Sequence, residues 1–295
     1  MKKASGSLML LLTALIWGLA FVVQRSGMSI IGPYTFQAVR TLLASAALLP
    51  LALLRRQQMG PAWRMPPVEL WLSCGLLVGG ACLAQQVGLT TTPAGKAGFI
   101  SSLYVVLVPI FALFTGRRAG WGVWLGVTLA VAGLYMLSAV GSFSLDSGEG
   151  LMLVCAALSA AQILLVDRYA APYDGVMLSC LQFLVAGLLP VPLAIFLERP
   201  ALADVWQAKW LILYAGVMSS AVGYTLQILG QKRVPPALAS ILLCLESVFA
   251  AAAGALILGE RMTGRELAGC ALMLSAVVLA QLPEKNGENT HEISA

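Results

Sequence analysis

The sequence has little charge and a single histidine. Of its 295 residues, 11% are Asp, Glu, Lys or Arg, whereas soluble domains have about 25% charged residues. This composition excludes an ordinary soluble domain. His291 lies in a polar segment at 283–295, and paired aspartates are missing from the apolar stretches, so a Ser/His pair or a histidine-rich metal site is excluded there. We therefore expect no enzyme, metal site or cofactor.

Long polar stretches are also missing, because the widest gaps between apolar runs, 55–67 and 198–209, are too short for a separate folded core. Hydrophobic residues make up 59% of the chain, and the mean hydropathy is +0.88. A bilayer is crossed by roughly 20 apolar residues in a helix. The sequence predicts an all-α polytopic membrane protein in a lipid bilayer. Its ten expected transmembrane helices are 7–24, 34–54, 69–89, 97–115, 121–140, 151–166, 176–197, 210–229, 237–258 and 267–282.

Disulfide pairing and nucleic-acid binding are not indicated. All six cysteines fall inside expected spans, where they act most simply as small packing residues. The net charge of +5 is spread over loops and forms no basic stripe. Most of the 18 basic residues lie on one side if both termini are cytoplasmic, which is the orientation we predict. Lys2 and Lys3 precede a first helix that we expect to be retained in a bacterial-type inner (plasma) membrane.

The second half of the sequence resembles the first. When the sequence is aligned with itself at an offset of 142 residues, Gln85 is paired with Gln227 and Tyr104 with Glu246. We expect a five-helix repeat at 1–140, a second at 151–282, and a polar cytoplasmic tail at 283–295. An odd number of helices per repeat inverts the second copy, as in many transporters. Chance matching between apolar sequences is the alternative.

Polar side chains within the spans predict a central cavity. An unpaired polar group in hydrocarbon costs several kcal/mol, so these groups should face one another, water or a ligand. The fifth and tenth helices have the fewest polar groups and are expected outside the others. The predicted substrate pathway consists of Trp17, Arg40, Gln85, Tyr104, Gln162, Tyr224, Gln227 and Glu246.

Glu246 and Arg40 are the charged members of this set. Glu246 lies near the middle of the ninth span, where a carboxylate can bind a cation, a proton or a substrate amine. Alternatively, it is a hydrogen-bonded glutamate that joins two helices. Arg40 can receive a carboxylate, or it can extend toward the interface or pair permanently within the protein. For the glutamines and tyrosines, hydrogen bonding between helices is the alternative to ligand contact.

Prolines and glycines predict bends and close helix contacts. Pro109 should interrupt helical hydrogen bonding inside the fourth span, and Pro190 with Pro192 should bend the seventh. The glycine pairs at 75 and 79 and at 122 and 126 permit two helices to approach closely. We expect the second pair to serve packing within the chain more readily than a dimer.

Several short motifs resemble the EamA family of the drug/metabolite transporter superfamily. They are WGLAF at 17–21, the spacing of Phe36 and Arg40, TPAGKAGF at 92–99, Pro109, and GER at 259–261. The resemblance covers nearly the whole chain. It implies two inverted five-helix repeats around a central cavity, peripheral fifth and tenth helices, and export of small metabolites. Glu246 and Ser247 stand where many relatives have proline, so the resemblance does not identify the cargo.

The prediction that follows is an inner-membrane exporter of small polar or amphipathic metabolites such as amino acids, working by alternating access. The alternative is a proton-coupled exporter of multiple drugs or amines, with Glu246 as the proton or cation site. A noncatalytic membrane scaffold is the third reading. A small molecule and the bilayer are the expected partners, and the sequence leaves the oligomeric state open.

Overall fold

A computed structural model describes residues 2–92, 94–114, 116, 119–138, 146–258 and 262–281. Regular structure within these ranges is entirely helical. Three predictions fall outside the described residues: the roles of Pro93, of the motif at 259–261, and of the segment 283–295 with His291.

The helices follow the expected spans in order. They are α1 (Lys2–Met28), α2 (Pro33–Met59), α3 (Val68–Gly88), α4 (Ala94–Ser101), α5 (Tyr104–Phe114), α6 (Trp121–Leu137), α7 (Ser147–Tyr169), α8 (Gly175–Leu188), α9 (Val191–Leu193), α10 (Leu202–Gln207), α11 (Lys209–Leu213), α12 (Tyr224–Gln231), α13 (Pro236–Leu243), α14 (Glu246–Leu258) and α15 (Gly264–Gln281). A short 3-10 helix covers Gly60–Ala62, and π-helices cover Ala194–Glu198 and Tyr214–Gly223.

Eight helical stretches of the described chain are long and apolar enough to cross a bilayer, which makes this a multi-pass membrane protein. They are Lys3–Met28, Pro33–Ala62, Val68–Gly88, Lys96–Phe114, Ser147–Tyr169, Gly175–Glu198, Lys209–Gln231 and Pro236–Ala253. The expected fifth and tenth spans contain α6 and α15, which pack along each other. The count of ten transmembrane helices stays a prediction.

Two helices are broken at corresponding places. The fourth span breaks at Ser102 and Leu103, between α4 and α5, and the ninth breaks at Cys244 and Leu245, between α13 and α14. Pro109 lies inside α5, where it has no amide hydrogen to donate to the helix ladder, so hydrogen bonding is interrupted there as predicted, but the helix continues past it. Tight turns make the break instead, with the amide of Leu103 bonded to the carbonyl of Ile100.

The seventh span is interrupted at the first of its two prolines, and the predicted bend stays a prediction. α8 ends at Leu188, a turn includes Pro190, and α9 begins at Val191. Proline has no amide hydrogen to donate to the helix ladder, so the helix stops there.

A π-helix in the eighth span is stabilised by side chains of α1. Trp17 Nε1 donates to the carbonyl of Ser219 at 3.0 Å, and the hydroxyl of Thr13 donates to the carbonyl of Gly223 at 3.1 Å. The wide turns of a π-helix often occur at functional sites. Here they face the first helix of the chain.

Glycines permit the closest helix contacts. A Cβ on Gly75 would lie 2.5 Å from Val185, and a Cβ on Gly126 would lie 3.2 Å from Ala280. The first glycine pair therefore packs α3 against α8. Gly126 packs α6 against α15 within the chain, as expected.

Polar contacts join the helices at both ends of the bundle, which we name the Gly32 end and the Gly60 end. At the Gly32 end, Glu198 accepts hydrogen bonds from the amides of Tyr34 and Thr35 at 2.9 and 2.7 Å, and Lys96 forms an ion pair with Glu149. At the Gly60 end, Arg55 Nε lies 2.9 Å from Asp174 Oδ2. The ion pair of Lys96 joins α4 to α7.

Candidate functional site

A cavity of about 70 Å³ lies among the helices, between the two ends. All eight residues of the predicted pathway line it. No residue of α6 or α15 does, within the part of the chain that the structure describes. The complete lining is Trp17, Phe21, Gln24, Arg40, Val78, Ala81, Cys82, Gln85, Ser101, Tyr104, Cys155, Ser159, Gln162, Ile163, Ser219, Tyr224, Gln227, Leu243 and Glu246.

The two helix breaks position the central acidic group. Tyr104 is the first residue of α5 and Glu246 the first of α14, so both side chains leave the chain where regular helix has just resumed. Glu246 is buried, and its Oε1 accepts hydrogen bonds from the hydroxyls of Ser102 and Tyr104 at 3.4 and 3.5 Å. Both bonds are long for a hydroxyl donor, so the carboxylate is only weakly satisfied.

Arg40 is also buried, and it does not extend to the interface. Its Nε and Nη2 donate to Gln37 Oε1 at 2.9 and 2.6 Å, and its guanidinium lies 6.0 Å from the centre of the Phe36 ring. Neither Arg40 nor Glu246 has an ion-pair partner among the described residues. The cavity therefore contains one basic and one acidic side chain that no ion pair among the described residues occupies.

Two glutamines on facing helices form a pair in the cavity. Gln227 Nε2 on α12 donates to Gln162 Oε1 on α7 at 3.1 Å. Gln162 Nε2 and Gln227 Oε1 have no hydrogen-bond partner within the described part of the chain. A second amide pair joins Gln24 on α1 to Gln86 on α3, so these two residues fasten helices to each other.

Aromatic side chains form one wall of the cavity. The rings of Trp17 and Tyr224 lie 4.6 Å apart and are tilted by 51°, and the ring of Phe183 packs edge-on against Tyr224 at 5.1 Å. Tyr224 also contacts Cys82, whose sulfur lies 3.4 Å from the phenolic oxygen. This contact fixes the orientation of the Tyr224 ring.

Residues at equivalent positions in the two halves touch each other in the cavity. The contacts between Cys82 and Tyr224 and between Tyr104 and Glu246 each join residues 142 positions apart. The same separation relates the start of α4, Ala94, to the start of α13, Pro236.

Sequence reasoning missed the small polar lining residues. Ser101, Ser159 and Ser219 line the cavity, and Ser102 reaches Glu246. Cys82 and Cys155 line it as well, although they were expected only to pack. Ser102 could have been found from its position, because it lies two residues before Tyr104 and Tyr104 is the residue equivalent to Glu246. Serine is common in membrane helices, so its presence alone did not mark a site.

Known proteins resemble this chain over most of its length. An uncharacterised transporter of Archaeoglobus fulgidus is 30% identical, with 95% of this chain and 87% of that protein covered. The threonine/homoserine exporter RhtA of Salmonella typhimurium is 30% identical, over 70% of this chain and 68% of the relative. The uncharacterised inner membrane transporter YedA of Escherichia coli is 27% identical, over 91% and 88%.

The fold has a solved counterpart. A crystal structure of a protein with 18% sequence identity superposes with a TM-score of 0.80, and the match covers 94% of this chain and 96% of the other. The sequence profile of the EamA-like transporter family matches twice in succession, at residues 4–139 and 146–282. The matches span nearly the entire bundle around the cavity, and this chain belongs to the EamA-like transporter family.

Proposed function

We propose that the protein exports small zwitterionic metabolites, such as amino acids, from the cytoplasm. The observation that carries this proposal is that Arg40 and Glu246 line one cavity and that neither has an ion-pair partner among the residues the structure describes. Burying an uncompensated charge is costly, and a ligand of opposite charge reduces that cost. A carboxylate beside Arg40 and an ammonium group beside Glu246 would neutralise both groups.

The proposed mechanism is alternating access by two inverted five-helix repeats, 1–140 and 151–282, with ten transmembrane helices. The two successive family matches and the equivalent breaks before Tyr104 and Glu246 support this division. Broken helices at a midplane site are common in transporters with inverted repeats. The cavity of about 70 Å³ is much smaller than a typical ligand pocket of about 300–1,000 Å³, so the helices must separate to admit a metabolite.

The proposed location is the inner membrane, with both termini and the 283–295 tail in the cytoplasm. This orientation makes the Gly60 end cytoplasmic, in agreement with the basic residues Arg55, Arg56, Arg64, Lys232 and Arg233 found there. The Gly32 end would then face outward.

Flux through purified protein in liposomes tests the proposal. A mixed panel of amino acids and amines should give selective flux of neutral zwitterions. Arg40→Gln should reduce this flux at least tenfold, since it removes the charge opposite the carboxylate. Arg168→Gln changes an exposed arginine outside the cavity lining and should leave flux unchanged. Absence of flux for every compound, from protein shown to be folded, contradicts transport and favours a scaffold.

A proton-coupled exporter of amines or multiple drugs is the second candidate. It is favoured by the position of Glu246, a buried carboxylate that accepts hydrogen bonds from Ser102 and Tyr104. In this reading a lipophilic cation competes with a proton for Glu246. Flux of such cations that depends on an imposed pH gradient, without flux of zwitterions, would select this candidate.

A further inference from the structure

A second concave surface lies away from the central cavity, at the Gly32 end of the bundle. It is a groove of about 580 Å³ between α2, α10 and α11, which we name the α10 groove. Leu43 of α2 and Ile212 of α11 line it together with four residues of α10, and Lys209 is its one charged lining residue within the described ranges. The volume falls in the range of about 300–1,000 Å³ that is typical of ligand pockets.

The α10 groove extends from the membrane boundary into the bilayer. Lys209 is the first residue of the apolar stretch Lys209–Gln231, so we expect it at the level of the lipid headgroups. Leu43 follows the first residue of α2, Pro33, by ten residues, which is about 15 Å along the helix axis. The hydrocarbon core of a bilayer is about 30 Å thick, so the groove reaches the depth of one leaflet. An acyl chain of that leaflet matches this depth.

The apolar side chains of α10 are left uncovered by the described part of the chain. Leu202 is 88% exposed and Trp206 is 70% exposed, and both line the groove. Trp210, at the start of α11, is also exposed. Tryptophan is enriched where a membrane meets water, with its ring at headgroup level. These residues therefore present an apolar surface to lipid, and covering it with an acyl chain is favourable.

Lys209 brings a positive charge to the upper edge of this apolar surface. Its Nζ lies 4.1 Å from the centre of the Trp206 ring and 5.8 Å from the centre of the Trp210 ring, so cation–π attraction holds the ammonium group beside the indoles. Asp204, the acidic residue of α10, does not line the groove, and no ion pair between described residues includes Lys209. A phosphate group can therefore pair with this lysine without displacing a carboxylate.

We infer that the α10 groove binds one anionic phospholipid, with its phosphate at Lys209 and an acyl chain along the apolar lining. The occupant is a component of the bilayer and is distinct from any cargo of the central cavity. A zwitterionic headgroup carries its own ammonium group beside the phosphate, and this group weakens the attraction to Lys209. A headgroup with a net negative charge keeps the attraction, so the site favours anionic lipids.

Native mass spectrometry of the purified full chain tests this preference. The protein is mixed with equal amounts of phosphatidylglycerol and phosphatidylethanolamine that have identical acyl chains. Wild-type protein should bind the first phosphatidylglycerol with a Kd about fivefold lower than that of phosphatidylethanolamine, which is the effect of one lysine beside an anionic headgroup. The measurement does not involve transport, so its result is independent of the proposed function.

Variants of the two parts of the site assign the preference to the α10 groove. Lys209→Gln removes the charge, and the ratio of the two Kd values should fall about fivefold, to near one. Arg199→Gln is the matched control, because Arg199 is an exposed basic residue shortly before α10 that does not line the groove, and this variant should keep the wild-type ratio. Ala203→Trp keeps Lys209 but fills the groove from an exposed position, so it should raise the Kd of both lipids at least about fivefold.

Four results would overturn the inference. Equal affinity of wild-type protein for the two lipids would remove the anionic preference, and this measurement does not depend on folding of the variants. An unchanged ratio in Lys209→Gln, or unchanged binding in Ala203→Trp, would place the lipid elsewhere on the protein. Dimers without bound lipid, converted to monomers by Ala203→Trp, would make a second copy of the chain the occupant of the groove.

Discussion

Replacing Glu246 with glutamine removes the only acidic group that lines the cavity, among the described residues, while keeping its size. The hydroxyls of Ser102 and Tyr104 donate to Oε1 in the wild type, and an amide oxygen can accept from the same donors. These bonds are long, so the variant should lose little of the folded state's stability. The change therefore isolates the charge.

In Glu246→Gln the ammonium group of the proposed cargo loses its hydrogen-bonded carboxylate, and this loss sets the expected effect on transport. A hydrogen bond to a charged group contributes about 1.5–3 kcal/mol. If it is formed in the transition state for transport, Glu246→Gln lowers kcat/KM about tenfold to 150-fold. Arg40 is unchanged in this variant. The kcat/KM for a compound that has a carboxylate but no ammonium group should therefore fall much less.

Initial rates of zwitterion flux into liposomes, with and without an imposed pH gradient, provide the assay. The variant should also lose any response to the gradient if Glu246 carries the proton. Glu69→Gln is the control, because Glu69 is exposed in the first turn of α3 and does not line the cavity. Wild-type kcat/KM and an unchanged gradient response in Glu246→Gln would refute a role for this carboxylate in binding or coupling.

Three further predictions concern the frame around the cavity. Trp17→Phe removes the indole donor to the carbonyl of Ser219 and should lower the free energy of unfolding by about 1 kcal/mol, measured by denaturant titration in detergent; unchanged stability would show that the π-helix does not need this bond. Glu198→Gln weakens the charge-assisted cap of α2 and should lower the free energy of unfolding by about 1 kcal/mol in the same titration. A free energy of unfolding equal to or above that of the wild type would contradict the capping role. Even the Cβ of a side chain added at Gly133 would lie 2.6 Å from Met273, so Gly133→Val should separate α6 from α15. The variant should show a smaller monodisperse fraction in size-exclusion chromatography, and a wild-type profile would contradict close packing there.

The helical path of the chain was largely readable from the sequence, because apolar length and the positions of proline depend on local residues. Pro190 ends α8 for a reason present at that residue alone. The break at Ser102 and Leu103 has no such signal, since neither residue disfavours a helix strongly. The π-helix at Tyr214–Gly223 depends on donors from α1, far away in the sequence.

The candidate site was predictable as a set of residues but not as a set of contacts. Arg40, Gln162 and Glu246 could be predicted because a polar side chain in an apolar helix must find a partner, water or a ligand to avoid a large energetic cost. Which amides pair depends on the rotation of each helix about its axis, and the sequence does not fix that rotation. Gln227 therefore bonds to Gln162 in the structure, although its sequence counterpart is Gln85.

The contact between Tyr104 and Glu246 bears on how a cavity built from two similar halves can hold an asymmetric ligand. At a two-fold axis, identical halves would present the same group twice, and such a lining suits a molecule whose two ends are alike. An amino acid has unlike ends. Glu246 is a carboxylate at the position equivalent to the Tyr104 phenol, so the two halves present unlike groups to the cavity, as an asymmetric ligand requires.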